Sequence, residues 1–143
     1  MNQPTMPPAE TQPKYMQRFV VKLDARVFAV AVDQVDWIES AANYVRLHVG
    51  ASTHLVRATM SNVENSLDPR QFMRVHRNAI INLSRVREFH MPARGSMCVL
   101  LRDGTRVPLS RGYQPAVRKM LQEQGSGPGN TFATSVSQNH PMS

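Results

Sequence analysis

Along the middle of the chain, apolar and polar positions alternate with a period of two, in short runs broken by turn residues. That pattern belongs to half-buried strands rather than helices. Arg18 to Leu23 and Val27 to Val32 read as a hairpin across Asp24-Ala25-Arg26. Asp36 to Ser40, Tyr44 to Val49 and Thr53 to Ala58 read as three further strands, the last two joined at Gly50-Ala51-Ser52. The period then changes: Met60, Val63 and Leu67 fall on one helical face, and Ser61 precedes Glu64 by the three residues of a capping box. A short amphipathic helix is therefore predicted to end before Asp68-Pro69. Strand patterns resume at Phe72 to Val75, Ala79 to Asn82, Val86 to His90, Met97 to Leu101 and Arg106 to Leu109. Asp103-Gly104 between the last two is a strong hairpin signal. Gln114 to Gln122 predicts a closing helix that tolerates Pro115 in its first turn.

The fold class that follows is mostly β, with about ten short strands and one or two short helices. Trp37, Ile38, Val45, Leu47, Phe72, Val75, Ile80, Ile81, Val99 and Leu101 are the expected core. Cys98, inside the apolar run Met97 to Leu101, is expected to be buried with them. Residues 1–17, with Pro4, Pro7, Pro8 and Pro13, and residues 123–143, rich in Gly, Ser, Asn and Thr, read as disordered or linker segments around a single domain at 18–122.

Composition narrows the function. No apolar run approaches the roughly 20 residues that cross a bilayer, and residues 1–10 carry neither a basic n-region nor an apolar h-region, so a soluble, cytoplasmic protein without a membrane partner is expected. One cysteine excludes an intramolecular disulfide and a multi-cysteine zinc site. His48, His54, His76, His90 and His140 lack metal-ligand spacing, so no metal and no cofactor is expected. The formal charge of +7 is unevenly spread: residues 70–119 hold eleven basic side chains against two acids, whereas the rest of the chain holds six against eight. Ten of those eleven are arginine, whose planar fork suits phosphates and guanine edges, so a polyanion is the natural partner and a merely solvated basic face the bland alternative.

Three segments then stand out: Val35-Asp36-Trp37-Ile38-Glu39-Ser40-Ala41-Ala42-Asn43-Tyr44-Val45-Arg46-Leu47, Phe72-Met73-Arg74-Val75-His76-Arg77-Asn78-Ala79-Ile80-Ile81-Asn82-Leu83, and Gly104-Thr105-Arg106-Val107-Pro108-Leu109-Ser110-Arg111-Gly112-Tyr113. In this order and at these separations the chain, over residues 18–121, resembles the LytTR family of bacterial DNA-binding domains, found mainly as output ends of response regulators. It departs from the family pattern at Asn78-Ala79, where Ser and an aromatic are usual, and at Leu109, where Val is. The resemblance implies small antiparallel sheets in an elongated arrangement, with loops rather than a recognition helix entering successive major grooves of double-stranded DNA. It implies that Asn43, Tyr44 and Arg46 of the first segment, His76, Arg77 and Asn78 of the second and Arg111 of the third approach bases or grooves. Arg and Asn can indeed bond bidentately to guanine and adenine edges. Arg74, Arg85, Arg87 and Lys119 are read as phosphate neutralisers. Each has a plainer reading: Asn43 as a turn residue with positive φ, His76 as a structural histidine, Tyr44 and Tyr113 as packing groups.

The resemblance further implies a transcription regulator of a two-component system that binds as a dimer on direct-repeat half-sites. A receiver domain or other regulatory partner would control it, and the Pro-rich lead suits an interdomain linker. A small β-barrel RNA-binding or protein-interaction module is the alternative, and it would need aromatic stacking groups on an exposed face. An enzyme is not expected and no catalytic residue is assigned, because nearly all the acids lie outside the basic half, away from His76.

Overall fold

A computed structural model describes residues 14–125. Its strands are β1 (Arg18–Leu23), β2 (Arg26–Ala31), β3 (Trp37–Ala41), β4 (Tyr44–Val49), β5 (Ser52–Arg57), β6 (Phe72–His76), β7 (Ala79–Asn82), β8 (Val86–His90), β9 (Met97–Leu101) and β10 (Arg106–Leu109). Two α-helices interrupt and close the series, α1 (Met60–Ser66) and α2 (Gln114–Gly125). All pairings are antiparallel and form three sheets: the hairpin β1-β2, a central sheet in the order β5-β4-β3-β7-β6, and the meander β10-β9-β8. The fold is therefore the mostly β arrangement that the period-two pattern predicts.

Alternation along the central strands decides how the layers stack, because neighbouring residues face opposite sides. Ile38, Val45, Leu47, Phe72 and Ile80 point to one face, where Phe19, Val21 and Val30 of the hairpin, Met60 and Val63 of α1 and Leu67 just after it bury them. Ala79 and Ile81 point to the other face, where they meet Val99, Leu101 and Val107 of the meander and Val117 of α2. The central sheet thus separates two cores. Each fully buried aliphatic side chain in them contributes roughly 1.5–3 kcal/mol.

Local details depart from the sequence reading in four places. The cap of α1 is Thr59, whose Oγ1 accepts from the Asn62 N–H at 3.1 Å; Ser61 lies inside the helix and makes no capping box. Trp37 is half-buried, because it sits at the margin of the second core and stacks on His48 with ring centres 4.2 Å apart and planes 6° from parallel. Cys98 is half-buried too: it pairs with His90 and Pro108 across the meander, on the sheet face opposite Val99. The turns are also tighter than expected, since Leu23 pairs with Arg26 and Val49 with Ser52, leaving two residues in each. Asp24 and Gly50 enter those turns with positive φ.

Candidate nucleic-acid interface

Strand direction gathers three separate sequence segments at one end of the central sheet. Ala41 pairs with Tyr44, so Ala42-Asn43 forms a two-residue turn at the end of β3. Glu39 pairs with Ala79, which brings the Arg77-Asn78 turn between β6 and β7 to the same end. The backbone N–H and Oγ of Ser40 then donate to the O and Oδ1 of Asn78, at 3.0 and 2.9 Å, linking the two turns. The Ser110 N–H donates to the Val75 carbonyl at 2.8 Å and so places the 3-10 turn Arg111–Tyr113 beside β6.

Backbone irregularities aim these turns. In the first, Ala42 rather than Asn43 takes positive φ, at 58°. That conformation costs an L-residue roughly 1–2 kcal/mol, so the surrounding pairs hold it there. In the second, the β6-β7 register slips between Arg74 and His76, a bulge that buries Val75 and re-aims His76. The Asn78 N–H donates to His76 Nδ1 at 3.1 Å, which leaves Nε2 as the proton-bearing nitrogen of a neutral ring.

The predicted residues fall into two groups. Asn43, Tyr44, Arg77, Asn78 and Arg111 are exposed at this end, with His76 half-buried between them. Arg111 donates to the Gly95 carbonyl at 3.1 Å, tying the β8-β9 loop to the cluster. Other basic residues are spent elsewhere. Arg46 Nη1 lies 3.1 Å from Glu39 Oε1, which also meets His48 Nε2 at 2.9 Å. Burial alone would raise the Glu39 carboxyl, but these two partners outweigh it and hold the group below its ordinary range. Arg74 turns inward to Glu64 and to the turn backbone. Arg85 donates to the Asp33 carbonyl, and its Nε lies 3.3 Å from Asp36 Oδ1, an ion pair without hydrogen-bond geometry. Asp36 precedes β3, so Arg85 sits about 17 Å along the sheet from the turns. Arg87 is exposed on β8, two residues beyond Arg85, and Lys119 is exposed on α2.

Two basic residues at the turn end were not singled out from the sequence. Arg57 closes β5 opposite Tyr44, its guanidinium 6.0 Å from the ring centre, and Arg94 is exposed in the loop that Arg111 holds. The register of β4 with β5 is the signal that would have found Arg57. Tyr44, 40% exposed, is the one exposed aromatic among the described residues. Among those residues no group of three or more His, Cys, Asp or Glu could hold a metal ion, and no helix is long and apolar enough to cross a membrane.

Comparison with known proteins identifies the family and the fold. The family model for the LytTr DNA-binding domain matches residues 25–122. The CO-responsive transcriptional regulator RcoM of Rhodospirillum rubrum is 29% identical over 110 residues, covering 76% of this chain and 47% of its own length. The sensory transduction protein LytT of Bacillus anthracis is 22% identical over 107 residues, 75% of this chain and 44% of that protein. The chain thus spans less than half the length of these curated relatives. Among solved structures, the LytTr DNA-binding domain of a putative methyl-accepting/DNA response regulator from Bacillus cereus shares the fold, with a TM-score of 0.67, 21% identity and coverage of 74% of this chain and 97% of that one.

Proposed function

The chain belongs to the LytTr DNA-binding domain family, and from that premise we propose that it reads double-stranded DNA by inserting the Ala42-Asn43 and Arg77-Asn78 turns and Arg111 into major grooves, as the output domain of a bacterial transcription regulator. The observation that carries this reading is the gathering of Asn43, His76, Arg77, Asn78 and Arg111, from three distant sequence segments, at one end of one sheet. Arg77 and Arg111 supply forked donors for guanine O6 and N7, Asn43 and Asn78 suit adenine N6 and N7, and His76 offers a single Nε2–H. Arg57, Arg94 and Lys119 neutralise flanking phosphates. Arg46, held by Glu39, stiffens the base of the first turn, and Tyr44 supports it with its ring. Arg85 drops out of the contact set because its guanidinium is held by Asp33 and Asp36 at the other end of the sheet.

Two copies on direct-repeat half-sites, meeting on the DNA, is the arrangement that the family resemblance supplies, with a receiver domain or another sensory partner as the source of control. The names of the relatives, a transcriptional regulator and a sensory transduction protein, support that role. A single-stranded RNA module is disfavoured because one exposed tyrosine makes no stacking platform.

Selection of bound duplexes from a random-sequence pool, over a salt series, tests the reading. The natural chain should enrich a repeated motif. Arg77→Ala and Arg111→Ala should each lower affinity for that motif by about 1–3 kcal/mol and relax one base position. Binding that selects no motif and ignores both substitutions would reduce the turn end to an electrostatic surface.

A further inference from the structure

Arg74 is the most enclosed basic residue beside the turn end: its side chain is 13% exposed, although it lies on β6, the edge strand of the central sheet. Its three nitrogens diverge onto three partners. Nη1 donates to Glu64 Oε1 on α1 at 2.9 Å, Nε to the His76 carbonyl at 3.3 Å, and Nη2 to the Arg77 carbonyl at 2.6 Å. We infer that Arg74 is a positioning residue for DNA recognition: it does not touch DNA, and with Glu64 it forms a strut that sets the peptide planes of the Arg77-Asn78 turn.

Peptide planarity supplies the mechanism. A trans peptide carries its C=O and the following N–H on opposite sides, so fixing one carbonyl fixes the next N–H. Drawing the His76 carbonyl inward directs the Arg77 N–H away from Arg74. Drawing the Arg77 carbonyl inward orients the Asn78 N–H, which then donates to His76 Nδ1 and leaves the proton on Nε2. One guanidinium thus arranges the backbone under Arg77 and the tautomer of His76 together. It also covers two carbonyl oxygens that would otherwise present negative charge toward phosphates. A lysine keeps the charge opposite Glu64, but its single ammonium cannot reproduce the planar fork that spans both carbonyls.

This inference rests on the proposed reading of the turn, and two measurements separate them. The first needs no DNA: amide resonances and hydrogen exchange are recorded on the free chain for Arg74→Lys, Glu64→Gln and the natural sequence. The Arg77 and Asn78 amides should shift and exchange faster in Arg74→Lys, less so in Glu64→Gln, while the Asn43 amide stays unchanged. The second measures affinity for the pool-selected duplex and for a random duplex across a salt series. Arg74→Lys should weaken the selected duplex about tenfold, leave the random duplex unchanged and keep the salt slope. Equal losses on both duplexes for Arg74→Ala, with the slope reduced by about one, would make Arg74 a phosphate contact and overturn the inference. Unmoved Arg77 and Asn78 amides in Arg74→Lys would overturn it as well. A natural chain that selects no motif sinks the reading of the turn instead, and the amide measurement still decides whether Arg74 shapes it.

Discussion

The two ends of the central sheet are built from the same strands and dispose their polar groups in opposite ways. At the end where β3 begins and β7 finishes, polar groups are paired with one another: Asn82, fully buried, donates through Nδ2 to the Val35 carbonyl at 2.8 Å and accepts from the Ser84 N–H and Oγ, while its own N–H donates to the Asp36 carbonyl. At the end where β3 finishes and β7 begins, Asn43, Arg77 and Asn78 are exposed, and one turn contains an alanine at positive φ. A buried polar group is tolerated only when bonded, whereas recognition needs donors that stay available. On the proposed reading, one end serves stability and the other contact with DNA.

Asn82→Ala should make that division most visible. It leaves the Val35 carbonyl and the Ser84 N–H without their partner beside a packed core, at about 1–3 kcal/mol for each group. Denaturant unfolding should register a loss of roughly 2–4 kcal/mol, while duplex affinity per folded molecule stays constant. A large fall in affinity at unchanged stability would mean that the far end is also part of the interface.

The converse pair is smaller. Arg77→Ala should weaken binding to a selected duplex by about 1–3 kcal/mol with no shift of the unfolding midpoint. Arg85→Ala should leave both affinity and salt slope unchanged, because its guanidinium is held by Asp33 and Asp36 at the stable end. A salt slope that fell by about one in Arg85→Ala would restore this residue as a phosphate contact and erase the asymmetry.

What the sequence made legible follows from how local each signal is. Alternation is read within a few residues, so all ten strands were placed to within a residue or two, and the Asp103-Gly104 turn was evident from its dipeptide. Partner choice is long-range. Nothing near Arg74 indicates that its guanidinium meets Glu64, ten positions away on a helix. Nothing near Arg85 indicates Asp33, 52 positions away. Charge counting therefore treats Arg74 and Arg85 like Arg77, and only the folded partners, Glu64 for the one and the Asp33 carbonyl for the other, distinguish them. The same holds for Trp37, apolar enough for a core but placed at its margin against His48, and for Thr59, which takes the cap because the helix starts two residues earlier than the Ser61 spacing implies.

Acid should erode the paired network without reaching the exposed turns directly. The Glu39 carboxyl, held below its ordinary range by His48 and Arg46 against the opposing effect of burial, contributes stability above its unfolded pKa and loses it as pH falls through the lower folded value. Asp103, held down chiefly by the Thr105 backbone N–H, behaves in the same sense. Solvent screening keeps the Glu39 contribution below about 1 kcal/mol. Unfolding measured from neutral to acid pH should therefore show a shallow decline that Glu39→Gln makes shallower. A decline of equal steepness in that variant would remove Glu39 from the account.

Ala42→Gly probes the strained turn itself with the smallest expected effect. Glycine removes the roughly 1–2 kcal/mol that an L-residue incurs at positive φ and returns part of it, about 0.4–1 kcal/mol, through the greater freedom of the unfolded chain. The net expectation is a gain of roughly 0.5–1 kcal/mol in stability. Binding should respond in the other direction, because a glycine at the tip lets Asn43 sample orientations that the alanine excludes, and that freedom is lost again on the duplex. A more stable chain that selects its motif less sharply would identify Ala42 as a residue whose strain keeps Asn43 in its reading orientation. A more stable chain with undiminished selectivity would leave the orientation of Asn43 to the β3-β4 pairing alone.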